Sequence, residues 1–413
     1  MRDVLFLSHR IPYPPDKGDK IRSYNLLKGL SERYRVHLGT FVDDPADWQH
    51  VPELRRICAE TCILPLDPRW ARARSLLGLV TGRALTMAYY ENRTMSTWLR
   101  DLARNHTLAG AYVYSSSMGP YAADLDLGRG AVRVMDFCDV DSDKWRQYAP
   151  THGYPMKWVF AREARMLARA ESELTAKFDA SLVISEAEAG ILRSIAQRNS
   201  DRVAVLPNGV DAAYFDPGRR YENPFPGAGR RVVFTGAMDY HANVDAVAWF
   251  ARDVFPMVRR RLPDTVFVIV GSNPAPAVRQ LAGLPGVEVT GRVPDVRPYL
   301  AHAAAVVAPL RIARGVQNKV LEALAMARPV IATENALQGI PDARLAGVIA
   351  SAEPGEFADA VVTKLETAID EPRGRAFVLE RFVWKVQASK LAAYFSKAGD
   401  DGIADAPIAV AQA

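Results

Sequence analysis

The residues best suited to chemistry surround one strand, loop and helix in the last third of the sequence. An apolar run that ends at Pro309 predicts a buried strand, and residues 318–327 have the composition of a helix. Four charged side chains lie in the connecting loop and the first turns of that helix: Arg311, Arg314, Lys319 and Glu322. Because a helix N-terminus already favours an anion, these cations suit a nucleotide diphosphate, and the carboxylate suits the attached sugar or ribose. The alternative is a solvated surface pair of Lys319 and Glu322 among ordinary surface arginines.

Size and composition predict an intracellular globular protein. The 413 residues are 49% hydrophobic and 24% charged, which indicates two or three domains. The apolar runs are only of strand length, so neither a transmembrane helix nor a signal peptide is expected. Three cysteines cannot form a disulfide framework and fit a reducing cytoplasm. We therefore expect a cytoplasmic protein, with peripheral attachment to the inner face of the cytoplasmic membrane as the alternative.

The positive charge is concentrated in the stretch from Arg69 to Arg104. Its seven arginines oppose only Glu91 and Asp101, which leaves +5, the formal net charge of the whole chain. Aromatic and aliphatic residues accompany them: Trp70, Leu76, Leu77, Leu79, Val80, Tyr89, Tyr90 and Trp98. This mixture predicts a helical surface that rests on an anionic membrane, with a purely structural role as the alternative. No nucleic acid is expected as a partner, because no recognised nucleic-acid motif accompanies the patch.

The alternation of short apolar runs with helical stretches predicts an α/β fold with two doubly wound parallel sheets. The predicted strands are residues 4–8, 36–41, 62–66, 111–115, 132–135, 181–184, 203–206, 232–235, 266–270, 287–290, 305–308, 330–332 and 348–350. Residues 217–231, rich in Gly, Pro and Arg, are the expected linker. The predicted organisation is a first domain over 1–216, a second over 217–380, a terminal helix over 381–397 and a disordered tail over 398–413.

Each predicted domain opens with a glycine-containing turn after its first strand. In the first, Gly18 is followed by Asp19 and Lys20; in the second, Gly236 precedes a helix for which Asn243 is the expected N-cap. Ligands of open α/β sheets bind beyond the carboxyl ends of the strands, where these turns would lie. Neither turn has the spacing of a dinucleotide fingerprint or a P-loop.

Two further motifs carry a resemblance to a known family. Residues 206–211 (LPNGVD) lie at the end of the first predicted domain, and residues 321–330 read LEALAMARPV. With the paired α/β domains, they resemble the GT-B glycosyltransferases, specifically the retaining family 4. More narrowly, residues 134–145 (VMDFCDVDSDKW) and 315–322 (GVQNKVLE) are similar to sugar transferases associated with exosortase (PEP-CTERM) exopolysaccharide systems.

The resemblance implies two Rossmann-like domains facing across a cleft, with the last helix crossing back to the first domain. The second domain would bind the nucleotide sugar, and the first, through Gly18, Asp19 and Lys20, would bind the acceptor. Glu322 matches a family glutamate that holds the ribose hydroxyls, whereas Arg314 replaces the usual glutamate that contacts the donor sugar. The expected donor-binding residues are Gly236, His241, Arg292, Val293, Arg311, Gly315, Asn318, Lys319 and Glu322.

The family's arginine and lysine after the Gly236-type turn are missing here, so Arg292, Arg314 and Lys319 are expected to hold the diphosphate instead. A histidine of the family is also missing, and Asp136, Asp139 or Asp141 would replace it; helix capping by these aspartates is the alternative. The predicted catalytic residues are thus Glu322, Arg314, Asp139 and Asp141. The D-x-D spacing of Asp139 and Asp141 could suggest a metal, but the resemblance implies none, and no cofactor besides the co-substrate.

The expected function is transfer of a sugar, with retention, from a nucleoside-diphosphate sugar, expected to be UDP-linked, to a glycan on a lipid carrier during exopolysaccharide synthesis. Two alternatives remain. One is a sugar-nucleotide epimerase of the same fold, and the other is a non-catalytic nucleotide-sugar-binding subunit, which the missing glutamate at Arg314 would fit.

Overall fold

The computed structural model describes residues 1–396, except residues 226, 314 and 368–369 and the side chain of Leu77. The predicted tail beyond 397, like Arg314, lies outside the described residues. The chain forms two compact units. Unit 1 contains Met1–Leu206 together with the chain from Gln387 onward, and unit 2 contains Pro207–Val386.

Unit 1 is built on a seven-stranded parallel sheet in the order β3-β2-β1-β4-β5-β6-β7. Its strands are β1 (Asp3–Ser8), β2 (Arg35–Val42), β3 (Glu60–Pro65), β4 (Leu108–Tyr114), β5 (Val132–Cys138), β6 (Ala180–Val183) and β7 (Val203–Val205). Its helices are α1 (Gly18–Ser31), α2 (Val51–Ile57), α3 (Pro68–Ser75), α4 (Leu77–Thr81), α5 (Leu85–Tyr89), α6 (Arg93–Asn105), α7 (Gly119–Ala123), α8 (Asp141–Tyr148), α9 (Met156–Lys177) and α10 (Glu186–Ala196). All seven residues of β4 are buried, as expected for a strand covered on both faces.

Unit 2 repeats this topology in a six-stranded parallel sheet, in the order β10-β9-β8-β11-β12-β13. Its strands are β8 (Arg231–Thr235), β9 (Val266–Val270), β10 (Val287–Gly291), β11 (Ala305–Ala308), β12 (Val330–Ala332) and β13 (Ile349–Ala350). Its helices are α11 (His241–Trp249), α12 (Phe255–Arg261), α13 (Pro276–Leu281), α14 (Arg297–Ala301), α15 (Asn318–Ala325), α16 (Glu334–Leu337), α17 (Pro354–Thr367) and α18 (Pro372–Arg381). The α/β class with two Rossmann-like parallel sheets is therefore confirmed.

Shorter helical segments link these elements. Five are 3-10 turns, Pro45–His50, Ser116–Met118, Ala149–Thr151, Gln197–Arg202 and Ala343–Ala346, and Phe250–Val254 is π-helical. The final helix, α19 (Trp384–Ser396), belongs to unit 1 from Gln387 onward. There the Tyr34 hydroxyl donates to the carbonyl of Ala392 at 3.1 Å. No helix in the described part of the chain is long and apolar enough to cross a bilayer.

The sequence placed the thirteen strands correctly but put the boundary between the units too late. All thirteen are present, with ends displaced by up to three residues. The chain enters unit 2 directly after Leu206 rather than after residue 216. The reason is that hydrogen bonds attach this segment to unit 2. The Val210 amide donates to the Phe382 carbonyl at 2.7 Å, and Arg375 Nη1 donates to the Phe215 carbonyl at 2.9 Å. Residues 207–216 are therefore fixed to unit 2 before the Gly- and Pro-rich stretch begins.

Candidate functional site

Unit 2 contains a cavity of about 470 Å³ at the carboxyl ends of its strands. It is lined by the segments after β8, β9 and β10 and by the loop and helix after β11: Thr235, Gly236, Val270, Gly271, Ser272, Arg292, Val293, Val296, Val316, Asn318, Lys319 and Glu322. The order of the strands reverses between β8 and β11, so the cavity lies at the topological switch point of the sheet, where open α/β sheets bind ligands.

Glycine backbone forms one wall of this cavity. A Cβ atom on Gly236 would lie 2.7 Å from Asn243 Nδ2 and 3.3 Å from Lys319 Nζ. A Cβ on Gly271 would collide with the carbonyl oxygen of Gly236. Side chains are therefore excluded here for steric reasons, and a ligand can approach the backbone closely.

Lys319 lies in the first turn of α15, and its amine is held by neighbouring groups. Nζ donates to Asn243 Oδ1 at 2.6 Å and lies 4.2 Å from the centroid of the Phe234 ring. Burial lowers the pKa of Lys319 to about 7, against the opposing effect of Glu322. An anion bound in the cavity would favour the charged ammonium, so the amine is suited to respond to a phosphate.

Asn243 was expected to cap α11, and this prediction is wrong. The helix begins at His241 with Tyr240 as N-cap, so Asn243 is buried inside its first turn. Its Nδ2 donates to the carbonyl of Ala237 at 2.9 Å, which fixes the amide with Oδ1 towards Lys319. Asn243 thus positions the amine of Lys319. Its spacing from the Gly236 turn was compatible with this role, but only the hydrogen bond between α15 and α11 revealed it.

Glu322 follows Lys319 by one helical turn and borders the same cavity. Among the described residues, its carboxylate has neither a hydrogen-bond partner nor an ion-pair partner within contact distance. Burial raises the pKa of Glu322 to about 7, although Lys319 favours the ionised form. Two buried oxygens of other lining residues, Asn318 Oδ1 and Thr235 Oγ1, also lack partners in the described part of the chain. Unsatisfied polar atoms around a cavity indicate a polar ligand.

The other residues predicted to bind the donor are more scattered. Arg292 is exposed and, with Val293, lines the cavity after β10. Arg311 does not line it, because its Nε donates to Asp245 Oδ2 on α11 at 3.0 Å. His241 is exposed at the start of α11, and Gly315 is buried with φ of 61°, where it permits a tight turn beside Val316; neither lines the cavity.

The residues predicted in the first domain lie in unit 1, mostly within ion pairs. Asp19 accepts from Arg10 Nη1 at 2.8 Å, next to Gly18 at the start of α1. Lys20 is buried and donates to Asp47 Oδ2 at 2.8 Å, so its amine is already neutralised. This pairing leaves Lys20 a structural role.

The aspartates near α8 differ from one another in burial. Asp139 is exposed, whereas Asp141 begins α8 and accepts from Ser116 Oγ at 2.9 Å. Burial raises the pKa of Asp141. Asp136 is fully buried and accepts from Arg22 Nε at 2.9 Å, so it is not available to a substrate.

The sequence analysis did not single out His9, which directly follows β1. Its ring stacks near Tyr114, with centroids 5.7 Å apart, and its buried Nδ1 has no partner among the described residues. Burial lowers the pKa of His9 to about 4, despite the nearby Asp19. The imidazole is therefore neutral at physiological pH. A single histidine after a strand has no characteristic spacing in the sequence, so only its burial and its unpartnered Nδ1 in the structure make it a candidate site residue.

The comparisons with known proteins agree with this architecture. Residues 229–367, about a third of the chain, match the family model described as Glycosyl transferases group 1. No curated protein matches the chain by sequence. Sucrose-phosphate synthase from Thermosynechococcus elongatus is 16% identical, with a TM-score of 0.62 over 96% of this chain and 99% of that chain.

Two further solved structures are similar over nearly the whole chain. HepE of Anabaena, in complex with UDP, is 13% identical, with a TM-score of 0.62 over 96% of this chain and 100% of that one. A variant of TarM from S. aureus, in complex with fondaparinux, α-GlcNAc-glycerol and UDP, is 10% identical, with a TM-score of 0.60 over 96% and 100% of the two chains. The chain has the GT-B fold, and residues 229–367, within unit 2, are similar to the glycosyltransferase group 1 family. The predicted fold and the predicted class of enzyme, a glycosyltransferase, are confirmed.

Proposed function

We propose that the protein is a retaining glycosyltransferase that binds a UDP-linked sugar in the cavity of unit 2. One observation carries this proposal: Lys319 and Glu322 lie on one face of α15 beside a glycine wall, and the carboxylate of Glu322 has no protein partner among the described residues. The unpartnered carboxylate of Glu322 suits the ribose hydroxyls of a nucleoside diphosphate, and the amine of Lys319, one helical turn away, suits its phosphates. HepE, which shares the fold, binds UDP in its crystal structure.

Four of the lining residues have definite parts in this binding. Glu322 accepts hydrogen bonds from the ribose hydroxyls, because a carboxylate is an acceptor only. Lys319 and Arg292 neutralise the diphosphate, assisted by the N-terminus of α15. The backbone at Gly236 lets a phosphate or the sugar come within hydrogen-bond distance.

The chemistry proposed is front-face substitution at the anomeric carbon. The bond between this carbon and the UDP oxygen breaks, a bond to the acceptor oxygen forms on the same face, and the acceptor proton passes to the departing phosphate. Configuration is therefore retained without a covalent enzyme intermediate. The protein positions the reactants, and Lys319 with Arg292 stabilises the charge that develops on the leaving diphosphate.

The acceptor is proposed to be a glycan on a lipid carrier, presented at the inner face of the cytoplasmic membrane. The surface formed by α3–α5 supports this: Trp70 is 77% exposed, Leu76 57% and Val80 89%. Arg69 and Arg72 are exposed beside them. Exposed apolar side chains flanked by arginines complement an anionic lipid surface. The residues that resemble exosortase-associated transferases favour exopolysaccharide synthesis as the process.

The α3–α5 surface is also held firmly by α9. Arg162 Nη2 donates to the Gly78 carbonyl at 2.6 Å, and the carboxylate of Glu163 accepts from the amides of Leu85 and Thr86, each at 2.8 Å. Both side chains are buried. The apolar residues are therefore presented on a fixed scaffold, which lowers the entropic cost of binding a surface.

Labelled UDP-sugars incubated with the purified chain and a membrane lipid extract test the proposal. We expect label in the lipid fraction from at least one UDP-sugar, with the anomeric configuration of the donor. Glu322→Gln should abolish this transfer, whereas Glu380→Gln, an exposed glutamate on α18, should not. Conversion of the UDP-sugar to its epimer would identify an epimerase, and tight binding without turnover would identify a binding subunit; either outcome would refute the proposed transferase.

A further inference from the structure

A cluster of two histidines and two carboxylates lies in unit 1 at the amino ends of the strands. Asp3 begins β1, His37 is the third residue of β2, Glu60 begins β3, and His106 directly follows α6. His37 and Glu60 are register partners on neighbouring strands. The cluster is therefore at the opposite end of the sheet from the edge where α/β proteins bind substrates, and the glycosyltransferase proposal does not involve it.

The distances within the cluster suit a small divalent cation. His106 Nε2 lies 2.8 Å from Glu60 Oε1, and His37 Nδ1 lies 3.8 Å from the same oxygen. One ligand atom from each of Asp3, His37 and His106 lies within 4.8 Å of the others. Tetrahedral zinc with bonds of about 2.0–2.1 Å requires ligand atoms roughly 3.3 Å apart. The two measured separations bracket that value.

His37 supplies an independent sign of a missing ligand. Its side chain is fully buried, and Nδ1 has no hydrogen-bond partner among the described residues. Nε2 lies 2.8 Å from Asp3 Oδ1, an acceptor, which fixes the proton on Nε2. Nδ1 is therefore unprotonated, and its lone pair has no donor although it lies 3.8 Å from Glu60 Oε1. A carboxylate that orients a histidine in this way is the usual outer partner of a zinc-binding imidazole.

We propose that His37 Nδ1, His106 Nε2 and Glu60 Oε1 bind a zinc ion, with Asp3 fixing the tautomer of His37. Water completes the tetrahedron, since Glu60 and His106 are partly exposed. Arg35 Nε, 3.5 Å from Asp3 Oδ1, is compatible with this arrangement because it faces the orienting carboxylate and its side chain is half exposed. The ion would tie β2 and β3 directly to the loop before β4, and β1 indirectly through Asp3, which is a structural role. This site lies apart from the D-x-D stretch, for which no metal was expected.

Zinc titration of the full chain, free of any histidine tag and stripped with a chelator, tests the site. We expect one equivalent of zinc to bind, and Co²⁺ in its place to give the visible absorption of a tetrahedral complex. His106→Ala and Glu60→Gln, at partly exposed positions, should each weaken zinc binding at least tenfold, and Asp3→Asn should weaken it about 10–100-fold as an orienting residue. His152→Ala, at an exposed histidine outside the cluster, is the matched control and should bind as the parent does.

Thermal unfolding gives a second readout that does not depend on activity. Zinc should raise the midpoint of the parent and of His152→Ala but not that of His106→Ala, because an ion bound only by the folded state stabilises it. Failure of the parent to bind stoichiometric zinc would overturn the proposal. Equal zinc affinity of the parent and both ligand variants would overturn it as well, and would leave a hydrogen-bonded histidine network as the interpretation.

Discussion

The two units share one topology but treat charge at the carboxyl ends of their strands in opposite ways. In unit 1, Lys20 is neutralised by Asp47, and Arg22 by Asp136. In unit 2, Glu322 faces the cavity without a partner among the described residues, and the amine of Lys319 contacts only a neutral amide and an aromatic ring at hydrogen-bond or cation–π distance. At the carboxyl ends of the strands, these charges are therefore neutralised by internal ion pairs in unit 1, whereas Glu322 of unit 2 is available to a ligand.

The shared topology provides a strand edge in each unit where a ligand could bind, and the unpaired polar groups at the cavity favour the edge in unit 2. Arg22 is 1% exposed and Asp136 is fully buried, so this pair exchanges hydration for mutual attraction. The Tyr112 hydroxyl donates to the same carboxylate. His9 Nδ1, after the end of β1, differs from this pair, because it is buried without a hydrogen-bond partner among the described residues.

The largest expected effect concerns the buried pair of unit 1. Arg22→Met leaves Asp136 charged and uncompensated in the core, and removal of one partner from a buried pair typically costs about 3–5 kcal/mol. Urea unfolding followed by tryptophan fluorescence measures this loss. Lys177→Met, which breaks an exposed pair with Asp124, should cost no more than about 1 kcal/mol. Equal losses in the two variants would contradict a structural role for the Arg22 pair.

Glu322→Gln should have the opposite profile, with lost binding and retained stability. The carboxylate is assigned to the ribose hydroxyls, and a charged hydrogen bond is worth about 1.5–3 kcal/mol, or roughly ten- to hundredfold in affinity. Calorimetric titration with UDP measures the loss, with Glu380→Gln as the control. An unchanged affinity for UDP in the folded variant would remove Glu322 from the proposed site.

A third test concerns cations that unit 1 leaves unpaired. Arg69 and Arg72 are exposed, with no ion pair in the described part of the chain, whereas Arg74 donates to the Tyr89 carbonyl at 3.0 Å. Each basic residue near an anionic bilayer contributes about 1 kcal/mol, so replacing Arg69 and Arg72 by Ser should weaken vesicle binding about thirtyfold. Vesicle co-sedimentation at low ionic strength measures this.

High salt should reproduce the effect of the double substitution, because exposed charges are screened within about a Debye length. Binding of UDP, which is proposed to involve only unit 2, should persist and is the internal control. Absence of the parent protein from the pellet with anionic vesicles at low salt would mean that the α3–α5 surface does not bind membranes.

The smallest expected effect is a pH dependence of nucleotide affinity that arises from the titration of Lys319 alone. Its free pKa is about 7, and a bound diphosphate should raise it, so binding takes up a proton and weakens as the pH rises above 7. Glu322 titrates in the same range and opposes this trend, so the measurement uses Glu322→Gln. Loss of Glu322 removes an effect that raises the pKa of Lys319, so the affinity of this variant for UDP-glucose should fall more than about tenfold between pH 7 and pH 8.5. The same dependence in a variant that also carries Lys319→Met would exclude Lys319 as its source.

The sequence by itself determined the strands, their parallel arrangement and the placement of Lys319 and Glu322 on one helix face. These features depend on local periodicity: apolar runs for strands buried on both faces, and a three-residue spacing for neighbours on a helix. The position of the cavity followed from the same pattern, since a parallel sheet places the turns after its strands at one edge.

Only the tertiary structure decided which charged residues are available. Arg311 and Lys20 have the residue type and spacing of ligand-binding groups, yet Asp245 and Asp47, distant along the chain, neutralise them. Asn243 has the residue type and position expected of a helix N-cap, but its side chain accepts a hydrogen bond from the amine of Lys319 instead. The proposed zinc ligands His37, Glu60 and His106 come from two strands and a loop, so no local spacing could have revealed them. Charge compensation depends on which side chains meet in space, and a linear pattern does not contain that information.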